Sequence, residues 1–111
     1  DGVYSLVINK YEELISGSND TKIKIWNMTT GECKRTLIGH SQNAFTLLIN
    51  ENDELISGSW DNSIKIWNMT TGECKRTLIG HTNRLRSLVI DKDGDLISGS
   101  NDGTIRIWKN Y

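Results

Sequence analysis

The sequence contains no proline among its 111 residues, which excludes proline-rich linkers. It has no apolar run near the roughly 20 residues of a membrane-spanning helix, and no signal-peptide pattern opens it. No charge sign dominates: 13 Lys and Arg stand against 14 Asp and Glu, for a formal net charge of −1. With no run of basic residues either, neither a nucleic-acid partner nor an anionic membrane surface is expected. Cysteine is scarce. Cys33 and Cys74 both lie in the tetrapeptide Gly-Glu-Cys-Lys and read as two copies of one position rather than disulfide partners. No Cys-x-x-Cys or His-rich spacing suggests zinc, so neither a metal nor a cofactor is expected. Free thiols suit a reducing compartment, which points to an intracellular location, cytoplasmic or nuclear. The chain opens on Asp1 rather than Met, which reads as a processed product or a piece of a longer protein. What the sequence has in quantity is glycine, ten residues of it, and glycine favours turns.

An internal repeat organises the chain. The same 41-residue interval separates Trp26 from Trp67 and Trp67 from Trp108. The segment Leu14–His40 recurs as Leu55–His81 with changes only at Asn19/Trp60, Thr21/Asn62 and Lys22/Ser63. Such a period marks a repeat architecture. Each unit reads as short strands between turn signals. The first strand is "VYSLVI" at Val3, "AFTLLI" at Ala44 or "LRSLVI" at Leu85, and the second is "LISGS". A tight turn follows at Asp20-Thr21, Asp61-Asn62 or Asp102-Gly103, and Asp-Gly is a hairpin signal that asks for positive φ. The third strand alternates apolar and polar residues, as in "SIKIWN", and the fourth is "CKRTLI". No window shows helical periodicity, so the fold class is all-β.

Four antiparallel strands per 40 to 45 residues, with "GH" at Gly39 and Gly80, "SGSxD" at Ser16, Ser57 and Ser98, and "IW" closing the third strand, resemble the WD40-repeat family of β-propellers. The resemblance covers essentially the whole chain. The eponymous dipeptide departs from the pattern: Trp26 and Trp67 are followed by Asn, Trp108 by Lys. The resemblance implies one partial propeller over residues 1–111, with blades at 1–38, 39–79 and 80–111 and the last lacking its outermost strand. These are about 2.7 blades, whereas closed propellers use roughly four to eight. Two expectations follow. One is a fragment of a larger propeller. The other is a repeat unit, recently amplified and without an evolved partner, whose copies join head to tail into a ring.

His40, Ser57 and Asp61 have the residue types of a hydrolytic triad, and His81, Ser98 and Asp102 repeat them. Recurrence argues for structure, because a set stamped into each blade meets a need of each blade, whereas catalysis needs one site beside one pocket. The resemblance implies hydrogen-bonded braces of His40, Ser57, Asp61 and Trp67 and of His81, Ser98, Asp102 and Trp108. A third, of Ser16, Asp20 and Trp26, lacks its histidine. Which serine of "SGS" takes part comes from the family, since both share a strand face. A hydrolase using Ser57 is the distant alternative; the chain is expected not to be an enzyme.

Among near-identical repeats, the columns that differ are the informative ones. They are Asn19, Trp60 and Asn101 before the turn aspartate; Gly2, Asn43 and Arg84 before the first strand; and Tyr4, Phe45 and Arg86 two residues on. In the WD40 family the matching columns lie on the rim of the central channel, where peptides and proteins bind. By that resemblance, Trp60, Arg84, Arg86, Phe45, Tyr4, Asn19 and Asn101 are the candidate partner-binding residues. The partner would be a protein or peptide, acidic or phosphorylated, and Tyr4 and Phe45 could equally fill space between blades. The pattern Asn-x-Thr at Asn19, Asn27 and Asn68 is common by chance and is read as unmodified. Lys34-Arg35 and Lys75-Arg76 are read as solvated edge charges.

Overall fold

The computed structural model describes residues 2–111, so Asp1, assigned above to the first blade, lies outside the described residues. Eleven strands form three antiparallel sheets. The first is β1 (Val3–Ile8), β2 (Glu13–Ser18), β3 (Ile23–Asn27) and β4 (Cys33–Leu37). The second is β5 (Ala44–Ile49), β6 (Leu55–Ser59), β7 (Ile64–Trp67) and β8 (Cys74–Leu78). The third has three strands: β9 (Leu85–Ile90), β10 (Leu96–Ser100) and β11 (Ile105–Trp108). Within each sheet, sequential strands are neighbours, as short hairpin connections dictate.

The turns show where the local chemistry acts. The residue after the turn aspartate is left-handed in every sheet: Thr21 (φ 74°), Asn62 (φ 76°) and Gly103 (φ 84°). Only that second residue has positive φ, whereas the Asp-Gly reading asked for it at two positions. The turn is longer than a two-residue hairpin: Asn62 N–H donates to Ser59 C=O and Ser59 N–H to Ser63 C=O. A single left-handed residue then returns the chain to the strand. Glycines take the same role at Gly31 and Gly72 before β4 and β8.

The core lies between sheets. Ile15, Ile23 and Ile25 of the first sheet pack on Leu47, Leu55 and Trp67 of the second. One repeat later, Ile56, Ile64 and Ile66 pack on Leu85, Leu88 and Leu96 of the third. Each of these side chains is no more than 6% exposed. The sheets meet through their inner strands, β1 and β2 on β5, then β5 and β6 on β9. Glycine permits this approach. A Cβ on Gly17 would stand 2.7 Å from the Ala44 carbonyl oxygen, and one on Gly58 would stand 3.2 Å from the Leu85 Cβ. The three strands β1, β5 and β9 therefore run side by side, with their first residues gathered at one end.

Candidate functional site

Two local features aim side chains at that end. The first is a β-bulge near the start of each inner strand. Val3 pairs with Ser18 and Ser5 with Gly17, which leaves Tyr4 as the extra residue. Phe45 and Arg86 are the extra residues of the matching bulges in β5 and β9. A bulge bends the strand and re-aims its side chain. The second feature is a backbone tie. The N–H groups of Asn19, Trp60 and Asn101 donate to the carbonyls of Gly2, Asn43 and Arg84 at 3.1, 3.0 and 2.9 Å. The tie holds the turn residue beside the residue that precedes the inner strand. All three variable columns thus converge.

There the rings of Tyr4, Phe45 and Trp60 form a triangle, with centroids 5.4, 5.5 and 5.7 Å apart. Phe45 and Trp60 are stacked, with planes 26° apart. The Arg84 guanidinium lies 4.1 Å from the Trp60 ring centroid, and that of Arg86 lies 5.0 Å from Phe45. Neither arginine has a carboxylate partner among the described ion pairs. Stacking fixes a planar guanidinium without consuming its N–H donors. The cluster therefore presents an apolar floor with two ring-held cations that have no ion-pair partner among the described residues, suited to an oxyanion beside an apolar group.

Trp60 is more enclosed than its place in a turn suggests. It is half-buried, and its indole Nε1 is the one fully covered side-chain donor or acceptor without a partner among the described residues. Tyr4 keeps 42% of its surface exposed, and Asn19 and Asn101 are exposed in the Trp60 column.

The residues of the triad-like sets also meet, deeper in the sheets. His40 lies 2.6 Å from Ser57 Oγ through Nε2 and 2.8 Å from Asp61 Oδ2 through Nδ1. Trp67 Nε1–H donates to the same Ser57 Oγ at 2.8 Å. The pattern assigns the tautomer: Ser57 donates to Nε2 and Nδ1–H donates to Asp61. His81 repeats the set with Ser98 (2.7 Å), Asp102 (2.9 Å) and Trp108, whose Nε1–H donates to Ser98 at 2.8 Å. In the first sheet, Trp26 Nε1–H donates to Ser16 Oγ at 2.9 Å, and Asp20 instead takes the hydroxyl of Ser18. The first serine of each "SGS" meets the tryptophan. Ser59, the second, accepts the Asp61 N–H at 3.0 Å and donates to the Gln42 carbonyl at 3.3 Å.

Sequence reasoning missed one member. The hydroxyls of Ser63 and Thr104 donate to Asp61 and Asp102 and also approach the Nδ1 atoms of His40 and His81. The signal was present: the first repeat, which has no histidine in the chain, carries Lys22 in that column. Burial works against the Asp61 charge, but hydrogen bonds from His40, Ser63 and the Ser41 amide outweigh it and hold the carboxyl well below the usual range. Asp102 is lowered likewise, chiefly by the Thr104 hydroxyl. Ser57 is 0% exposed. With its hydroxyl enclosed between His40 and Trp67, it offers no approach to a substrate carbonyl.

The opposite end holds an open groove of about 1150 Å³ between the first two sheets, lined by Asn27, Asn68 and Met69 among others. Some of its charges are paired within the chain, Lys34 with Glu13 and Lys75 with Glu54. Lys34 and Lys75 are exposed edge charges that also pair within their own sheets. Each is the extra residue of a bulge in β4 or β8, which turns it back onto its own sheet. Arg35 reaches the next sheet and donates to the Thr71 carbonyl at 3.1 Å. No group of three or more His, Cys, Asp or Glu side chains among the described residues could hold a metal ion. Among the described residues, no helix is long and apolar enough to cross a membrane.

The family profile described as "WD domain, G-beta repeat" matches three times, at residues 1–27, 31–68 and 72–109. The solved WD40 β-propeller domain of Doa1 superposes on all of this chain with a TM-score of 0.94 at 30% identity. Cell division control protein 4 of Candida albicans is 45% identical over 42 residues, 37% of this chain. Pre-mRNA-splicing factor PRP46 of Saccharomyces cerevisiae is 55% identical over 29 residues, 26% of this chain. The chain spans 6% of the length of each of these two relatives and 38% of the solved chain.

Proposed function

This chain belongs to the WD40-repeat family, and from that premise we propose that it is a non-catalytic docking module that meets a protein or peptide at the Tyr4–Phe45–Trp60–Arg84–Arg86 cluster. Protein-interaction scaffolding is the general role of the fold. The two relatives are named for cell division and for pre-mRNA splicing, so the partner is a matter for the surface particular to this chain.

The observation that carries the reading is the stacking of Arg84 on Trp60 at 4.1 Å beside the Phe45–Arg86 pair, with neither cation in an ion pair among the described residues. Trp, Tyr and Arg dominate interface hot spots, and a guanidinium held over a ring is ready for a carboxylate or phosphate. The chain's own cations already occupy ring faces, which disfavours a cationic ligand. The partner segment is therefore acidic or phosphorylated, with an apolar side chain for the aromatic triangle. Exposed free thiols at Cys33 and Cys74 support an intracellular setting. A hydrolase working through Ser57 has its nucleophile sealed from solvent and fits poorly.

Affinity capture from cell extract with the parent chain, a W60A/R84A double variant and a K34A control variant tests the reading. Proteins retained by parent and control but lost from the double variant, with unchanged circular dichroism, are the expected result. Identical captured sets would overturn it.

A further inference from the structure

The two outer faces of the three-sheet stack carry the same columns that meet twice inside the chain. Ile56, Ile64 and Ile66 meet Leu85, Leu88 and Leu96, and the counterparts one repeat earlier meet in the same way. Carried one repeat further, the donor-side positions become Ile97, Ile105 and Ile107, and the acceptor-side positions one repeat back become Val3, Leu6 and Leu14. Ile105 is 74% exposed, Ile107 62%, Leu6 59% and Val3 57%. Four of the eleven large exposed apolar side chains among the described residues, Val3, Leu6, Ile105 and Ile107, sit in these two sets of columns.

Two further observations fit the halves together. Gly17 and Gly58 are where the next sheet presses closest, yet a Cβ on Gly99, their counterpart, would meet nothing within 4 Å. The third sheet thus keeps the notch without what fills it. Charge matches as well. Lys10 bridges to Asp53 of the next sheet at 2.7 Å. The counterparts at the outer faces are Lys92 and Glu12, of opposite sign, and neither has a partner among the described ion pairs.

We infer that the outer face of the third sheet binds the outer face of the first sheet of a second copy of this chain, head to tail, with Val3 against Gly99 and Lys92 against Glu12. The contact is heterologous, so copies add in one direction and stop growing only if the rotation closes a ring. The closest backbone approach runs through the inner strands, and β11 adds Ile105 and Ile107 to the face as β3 adds Ile23 and Ile25 inside the chain. It is independent of the ring-and-arginine cluster and of any ligand there.

Sedimentation of the 111-residue chain over a concentration series, from about 5 to about 200 μM, reads the association directly. The expected result is a mass of at least twice the monomer at the upper end, falling on dilution. Gly99→Val fills the open notch at a strand position that suits a β-branched residue, and Leu6→Glu charges the other face. Each variant should keep the parent's circular dichroism and sediment as a monomer. Mixed, they should form a one-to-one pair and nothing larger, since each retains the half the other lacks. A monomeric parent throughout the series, variants that associate like the parent, or a mixture that fails to pair would each overturn the proposal. If Gly99→Val does not fold, Leu6→Glu mixed with Ile105→Glu carries the same test.

Discussion

Replacing His40 by alanine should destabilise the chain by about 2–4 kcal/mol. The imidazole is 5% exposed and holds Ser57 at 2.6 Å and Asp61 at 2.8 Å. Its removal strands the Ser57 hydroxyl hydrogen at a site with 0% exposure, which costs about 1–3 kcal/mol. Asp61 suffers less, because the Ser41 amide at 3.0 Å, the Ser63 amide at 2.9 Å and the Ser63 hydroxyl remain. The void beside Trp67, whose ring centroid is 6.1 Å from that of His40, adds about 1 kcal/mol. Urea denaturation followed by tryptophan fluorescence at one fixed protein concentration measures the sum. With a slope of about 1–3 kcal/mol per molar, the midpoint should fall by about 1–2 M. The same change at His81 should cost less, about 1–3 kcal/mol, because Trp108 and Thr104 leave that set open to water on one side. A His40→Ala midpoint within about 0.3 M of the parent would refute the reasoning, since a stranded buried hydroxyl must register.

Three other outcomes are expected. Trp60→Phe keeps an aromatic ring and removes an N–H that has no acceptor among the described residues, so its unfolding free energy in urea should equal or exceed the parent's; a drop of more than about 1 kcal/mol would show that the indole is hydrogen-bonded after all. Gly17→Ala should lower the melting temperature, because the new Cβ meets the Ala44 carbonyl at 2.7 Å, while Gly99→Ala should leave the fold of the monomer unchanged; equal melting temperatures for the two would contradict the packing. The lowered Asp61 and Asp102 carboxyls favour the folded state while ionised, so stability they supply is full above the ordinary aspartate value of 3.8 and is lost as pH falls below it; denaturation midpoints of the parent and Asp61→Asn should converge as pH drops below about 4, and a constant gap from neutral pH downward would refute the linkage.

The strands were legible because alternation survives in each repeat: Ile64, Ile66 and their counterparts point to one face and Lys65 to the other. The repeat also showed that Ser57 and Asp61 are common parts and Trp60 is not. What the sequence did not show depends on register between strands. Nothing in "VYSLVI" marks Tyr4 as an extra residue opposite β2, and nothing in "CKRTLI" marks Lys34 as one opposite β3. Yet these bulges decide that Tyr4 joins the aromatic cluster and that Lys34 reaches Glu13. The stacking of Arg84 on Trp60 crosses from one sheet to the next, so no spacing within a repeat announces it. The hydroxyl of Ser63 was visible as a difference between repeats, but its pairing with Asp61 needed the folded turn.

The central claim is that two stacked arginines and an aromatic floor select an acidic or phosphorylated segment. A peptide array answers it most directly, with each sequence present in serine, phosphoserine and lysine versions, probed with the parent chain and with an R84A/R86A double variant of unchanged circular dichroism. The expected result is retention by phosphoserine peptides above their serine versions, little by the lysine versions, weakening in salt and absent for the double variant. Equal retention of the three versions, or a double variant that binds like the parent, would contradict it.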